Sequence, residues 1–322
     1  MKSQLAIGLI AGTLLGFFVS YYVINQKTLP IFQEQHQTGA LTDPLLDCVN
    51  PETSAIGSLN VSKFQLTDFV DNIVNSGRVD SLSVYVRDLN NGPWVGVNES
   101  EQFIGGSLLK VPILIAYLKL SESDPSVLSK AIAYKNVIAD NTQYFSSGKQ
   151  IEVGKTYTVK DLLDYLIKYS DNNAAELLSG NLPSESFDDV FEALGQGRPN
   201  VNEPYPVNTV TYSGFFRILF NASYLSKADS ETALKMLTET TFTKGITYLL
   251  PSGITVAHKF GERGDENVDQ LHDCGIVYYP NHPYLLCIMS TGKNFDSMAS
   301  AIASVSKFVY DQIDTNPNVN AN

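Results

Sequence analysis

Strand-type patterning in this chain is confined to the two ends of a stretch of about 250 residues, and that separation limits the available folds more than any other feature. Near the start, Ser81 to Arg87 and Trp94 to Val97 flank Asn90-Asn91-Gly92-Pro93, a turn-rich break that reads as a β-hairpin. Near the end, strand signals return at Gly253–Phe260, Cys274–Tyr279 and Tyr284–Ser290, the last two joined through Tyr279-Pro280-Asn281-His282-Pro283. Helical patterns fill the interval, among them Val159 to Tyr169, preceded by Thr158 and Asp161 at capping-box spacing. Phe64, Leu66, Phe69, Val70 and Ile73 mark a helix before the first strand, and Met298, Ala301, Ile302, Val305, Val309 and Ile313 one after the last. The expected fold is α+β: a five-stranded antiparallel sheet flanked by N- and C-terminal helices, with an all-helical insert after its second strand. This assigns residues 59–314 to one catalytic domain, with its α/β part at 59–100 and 246–314, its helical part at 101–245, and a tail at 315–322.

Ahead of that domain, Leu5 to Ile24 is a run of 20 residues without a charge, about 30 Å long as a helix and so able to span a bilayer core. Val19-Ser20-Tyr21-Tyr22-Val23 has no small-x-small cleavage site, which favours an uncleaved transmembrane anchor over a signal peptide. Lys2 and the amino terminus place residues 1–4 in the cytoplasm and the remainder on the extracytoplasmic side. Residues 25–58, polar and carrying Pro30, Pro44 and Pro51, read as a tether. The formal net charge of −12 argues against nucleic acid as a partner, leaving a small molecule and the membrane. Cys48, Cys274 and Cys287 form no metal motif; Cys48 reads as a linker residue, and Cys274 and Cys287 as buried free thiols. The four histidines show no zinc spacing, so neither a metal nor a cofactor is expected.

Three segments carry chemistry. Gly105-Gly106-Ser107-Leu108-Leu109-Lys110 places a serine and a lysine on one face of a helix start, ahead of the apolar run Val111, Ile113, Leu114, Ile115 that would desolvate the amine. A neutral amine there can take the serine proton and activate a poor nucleophile. Ser146/Lys149, Ser290/Lys293 and Ser304/Lys307 share the spacing but lack the Gly-Gly and the apolar run together. The second segment is Ser170-Asp171-Asn172 at the end of a helix, and the third is Lys259-Phe260-Gly261-Glu262-Arg263 near a strand end, where Gly261 permits close backbone approach.

In this order, the three segments resemble the Ser-x-x-Lys, Ser-Asp-Asn and Lys-Thr-Gly set of class A β-lactamases and penicillin-binding proteins. The resemblance covers about Ser62 to Ile313. It implies that Ser107 is the acylated nucleophile, Lys110 its base or proton relay, and Ser170 the residue that passes the proton onward. It further implies that Asn172 and Lys259 bind substrate, that the amides of Ser107 and Glu262 form the oxyanion hole, and that Arg263 is a second carboxylate contact or a surface arginine. Asp171 is expected to tie down its loop. Phe260 stands where the family has Thr or Ser, removing one hydroxyl for the substrate carboxylate. The stretch Arg198 to Asn208 offers Glu203 as the deacylation base, or as a solvated loop carboxylate, with one residue more than the family spacing between it and Asn208. The implied activity is hydrolysis of β-lactam amides. The alternatives are a penicillin-binding protein or D,D-peptidase acting on peptidoglycan peptides, and a non-catalytic relative that binds the same ligands.

Overall fold

Local signals start and stop the helices where the sequence places them. Helix α1 (Lys63–Asn75) is capped by Ser62, whose side chain accepts from the Gln65 amide, and buries Leu66, Val70 and Ile73. Phe64 of the expected apolar stripe instead lies 82% exposed. Strands β1 (Ser81–Asp88), β2 (Trp94–Val97) and the two-residue β3 (Phe103–Ile104) follow. A 3-10 turn over Gly106–Leu109 then runs into α2 (Lys110–Ser123), which is apolar all round and buried from Lys110 to Leu118. Short strands β4 (Ala131–Ala133) and β5 (Thr156–Thr158) precede α3 (Val159–Lys168), where Thr158 and Asp161 form the expected reciprocal capping box. The middle continues through α4 (Asn172–Ser179), α5 (Ser184–Glu192), β6 (Pro206–Val207), α6 (Thr209–Phe220) and α7 (Lys227–Thr238). Strands β7 (Thr255–Arg263), β8 (Asp269–Tyr278) and β9 (Tyr284–Gly292) and the long helix α8 (Phe295–Asp314) complete the chain.

The computed structural model describes residues 41–43, 61–90, 92–140, 142–199, 205–264 and 268–315. The expected anchor at 5–24, nearly all of the tether, Cys48 and Glu203 lie outside the described residues. Among the described residues, no helix is long and apolar enough to cross a membrane.

The main sheet has five antiparallel strands in the order β2-β1-β9-β8-β7, so the two ends of the domain meet where β1 pairs with β9, Tyr85 opposite Cys287. The insert between β2 and β7 is not purely helical as expected: β3 pairs with β6 and β4 with β5 in two small ladders. Helices α1 and α8 cover one face of the sheet, where Phe69 stacks on Phe308 at 4.4 Å, and the inserted helices cover the other. Burial on both faces makes β9 read as a continuous apolar run from Tyr284 to Met289 rather than a clean alternation.

The structure corrects the expectation of free thiols. Cys274 and Cys287 sit directly opposite each other in the β8–β9 register, with Cα atoms 3.9 Å apart, and form a disulfide. Register cannot be read from a five-residue connection alone, and it is register that sets both side chains on one face. Lys259 of β7 is the next residue across on the same face, opposite Cys274.

Candidate active site

Strand β7 is an edge of the main sheet, and its outer side is covered by the 3-10 turn that carries Ser107. That contact needs two glycines. A Cβ on Gly261 would lie 2.7 Å from the Gly105 carbonyl oxygen and 2.9 Å from Leu108. Gly106 has φ +51°, and a Cβ there would lie 3.0 Å from the Glu262 carbonyl oxygen. The backbones of Ser107 and Glu262, whose amides the resemblance assigns to the oxyanion hole, are therefore neighbours. Tyr212 holds the turn from beneath, its hydroxyl donating to the Leu108 carbonyl at 2.8 Å.

Lys110 is the hub of the site. Its buried Nζ lies 3.0 Å from Ser107 Oγ, 3.1 Å from Ser170 Oγ and 2.7 Å from Asn172 Oδ1, and it also donates to the Ser170 carbonyl. Burial pushes its pKa down to about 7, against the opposing pull of Asp171, Glu262 and Glu176. Lys259 Nζ donates to Ser170 Oγ at 3.0 Å and to the Phe260 carbonyl at 2.7 Å. Desolvation, then the nearby Lys110 charge, holds Lys259 well below the usual lysine range. Ser170 Oγ thus sits between two lysines, and Ser170 itself has φ +56°, a conformation a serine rarely adopts.

Asp171 secures this arrangement from behind the cleft. Its buried carboxylate caps α4 by accepting from the Asn173 and Ala174 amides and reaches the Ile151 amide at 2.6 Å. Asn172 joins the site to the neighbouring loop, donating from Nδ2 to the Asp140 carbonyl at 2.7 Å. Ser107, Lys110, Asn172, Glu262 and Arg263 line one open cleft of about 820 Å³. Gly261 lies beneath it, and Ser170 and Lys259 are fully buried behind it. His258 points to the opposite face of β7, where its Nδ1 meets Asp273 Oδ1 at 2.8 Å. Among the described residues, no group of three or more His, Cys, Asp or Glu side chains is placed to hold a metal.

Three features escape the sequence reading. Glu176, one helical turn beyond Asn172, lines the same cleft, a position that the i, i+4 spacing could have suggested. Glu262 uses its carboxylate as well as its backbone, accepting from the amides of Tyr144 at 2.6 Å and Phe145 at 3.1 Å. Phe260 turns away from the cleft to stack on Phe242 at 4.2 Å, which explains how an aromatic is accommodated where a hydroxyl is expected. Asn208, the residue read together with Glu203 in that stretch, is the N-cap of α6 and accepts from the Thr211 amide.

A serine hydroxyl beside a desolvated amine, a second serine placed between two lysines, and this sheet-and-insert fold are those of a β-lactamase-like serine hydrolase. The chain belongs to the beta-lactamase enzyme family, whose match runs over residues 65–313. A protein named beta-lactamase from Bacteroides uniformis is 24% identical over 275 residues, covering 77% of this chain and 90% of that protein. The fold matches the crystal structure of a β-lactamase from Chitinophaga pinensis at TM-score 0.65 and 22% identity, over 77% of this chain and 98% of that one. It also matches PBP-A, in a structure described as an acyl-enzyme complex with penicillin G, at TM-score 0.66 and 20% identity, over 79% of this chain and 96% of that one.

Proposed function

We propose that the protein hydrolyses β-lactam amides through an acyl-enzyme on Ser107. The observation that carries this reading is the Lys110 amine within hydrogen-bond reach of both Ser107 Oγ and Ser170 Oγ. Neutral Lys110 takes the Ser107 proton as Oγ attacks the carbonyl carbon, and the amides of Ser107 and Glu262 receive the developing oxyanion. Ser170 Oγ, between Lys110 and Lys259, passes a proton to the departing nitrogen, so that the C–N bond breaks as the acyl–Oγ ester is completed. Asn172 orients the acyl amide, and Lys259 positions Ser170 Oγ through its hydrogen bond. Water then cleaves the ester, with Glu203 as the proposed base. Residues 5–24 anchor the chain, with the catalytic domain on the extracytoplasmic side, a placement that suits a disulfide-bonded domain.

A penicillin-binding protein or D,D-peptidase is the second reading. What favours it is Asn208, whose side-chain oxygen is engaged in the α6 cap. Intact-mass spectrometry of the full-length protein over time with a penicillin, beside Ser107→Ala, separates the readings. A Ser107-dependent adduct that decays as hydrolysed drug accumulates marks a β-lactamase, and one that persists marks the alternative. No adduct on folded protein overturns both.

A further inference from the structure

We propose that the Glu262 carboxylate, latched to the Gln143–Phe145 strap, closes the end of the cleft where an anionic group beside the scissile bond would dock. Ser107 then prefers acyl donors that are uncharged at that position. The proposal rests on the acyl-enzyme reading above and names the substrate class within it. Glu262 projects from β7 across to the strap, where its two oxygens take the Tyr144 and Phe145 amides. Gln143 Nε2 donates to the Ser170 carbonyl at 2.7 Å, so the strap is also fastened to the far wall of the site. Aromatic packing seats it: Tyr144 stacks on Phe295 at 5.0 Å, and Phe145 meets Phe242 edge-on at 5.1 Å, the same Phe242 that stacks on Phe260.

Two of the groups that could receive an anion there are committed elsewhere, while Arg263 stays on the cleft wall beside Glu262. Phe260 offers no hydroxyl and faces the aromatic cluster. Lys259 is fully buried, with its amine on Ser170 Oγ and the Phe260 carbonyl. The charge of Glu262 is felt by both Lys110 and Lys259, so the latch sets a fixed anion where a second would have to enter. Beyond Arg263 the cleft is acidic, with Asp140, Glu176 and Asp188 along its walls, and its apolar lining of Ile113, Leu182 and Phe187 suits a neutral acyl group.

Penicillin G and its methyl ester share the reacting ring and differ by one negative charge. Second-order acylation rates of the full-length protein with each, read by intact mass, test the proposal. The native protein is expected to react with the ester at least as fast as with the acid. Glu262→Ala is expected to raise the acid-to-ester ratio about tenfold or more. Glu262→Gln, which keeps the reach but not the charge, is expected to fall between them and stands in if the alanine variant does not fold. An acid preferred about tenfold by the native protein, or a ratio unmoved in a folded Glu262 variant, overturns the proposal while leaving Ser107 acylation intact. No Ser107-dependent adduct with either compound overturns the acyl-enzyme reading and this proposal together.

Discussion

At Lys110 two demands compete. The amine must be uncharged to accept the Ser107 proton, yet three carboxylates nearby favour its charged form. Burial prevails and sets the balance at about 7. The neutral fraction grows as pH rises through that value, so acylation of Ser107 is expected to climb from pH 5.5 to 8.5 with a midpoint near 7 and then level off. Rates measured by intact mass across that range check it, and a flat profile would show that proton transfer from Ser107 does not limit acylation. Lys110→Ala is expected to slow acylation about a thousandfold, within the range for loss of a general base, while the Ser107→Ala protein forms no adduct. Residue types and spacing, taken with the family resemblance, singled out Ser107, Lys110 and Ser170 as candidates. The side-chain role of Glu262 was not legible, because its partners are backbone amides more than a hundred residues away.

Elements do the positioning. The turn bearing Ser107 fits against β7 only because Gly106 and Gly261 leave room. Gly106→Ala would put a side chain at φ +51° and 3.0 Å from the Glu262 carbonyl oxygen. The expected result is a loss of about 1–2 kcal/mol of stability and a fall in acylation of about a hundredfold from displacement of the amides proposed to receive the oxyanion. Thermal unfolding and acylation kinetics on the same sample measure both. Asp171 joins the start of α4 to the Ile151 backbone, so Asp171→Ala is expected to cost about 2–3 kcal/mol, read as a lowered Tm and denaturation midpoint. The α3 capping box and the α8 apolar stripe follow local rules and were readable from sequence. The strap was not, since Gln143 to Phe145 belong to no helix or strand and owe their place to the Glu262 latch and the aromatic cluster.

For the molecule as a whole, the sheet ties the ends of the domain together. Strand β9 pairs with β1 on one side and β8 on the other, and the Cys274–Cys287 bridge locks the β8–β9 hairpin behind Lys259. Closing a loop of this length restricts the unfolded chain by about 3 kcal/mol in the chain-entropy picture. Reduction, or paired Cys274→Ser and Cys287→Ser changes, is therefore expected to lower the unfolding temperature by several degrees, as differential scanning calorimetry with and without reductant would show. An unchanged Tm would mean that the β-ladder alone holds the hairpin. The disulfide also agrees with the oxidising compartment that the extracytoplasmic placement proposed above would supply.

What the sequence determined by itself is what depends on neighbours along the chain: helix starts, the antiparallel sheet built from two separated strand clusters, and the order of the three motifs. Tertiary structure decided what depends on register and long-range contact. It made a disulfide of two cysteines that read as free thiols, turned Phe260 into the aromatic core, and carried the Glu262 carboxylate across the cleft. A one-residue shift in pairing would send each of those side chains to the opposite face, and no local pattern specifies against it.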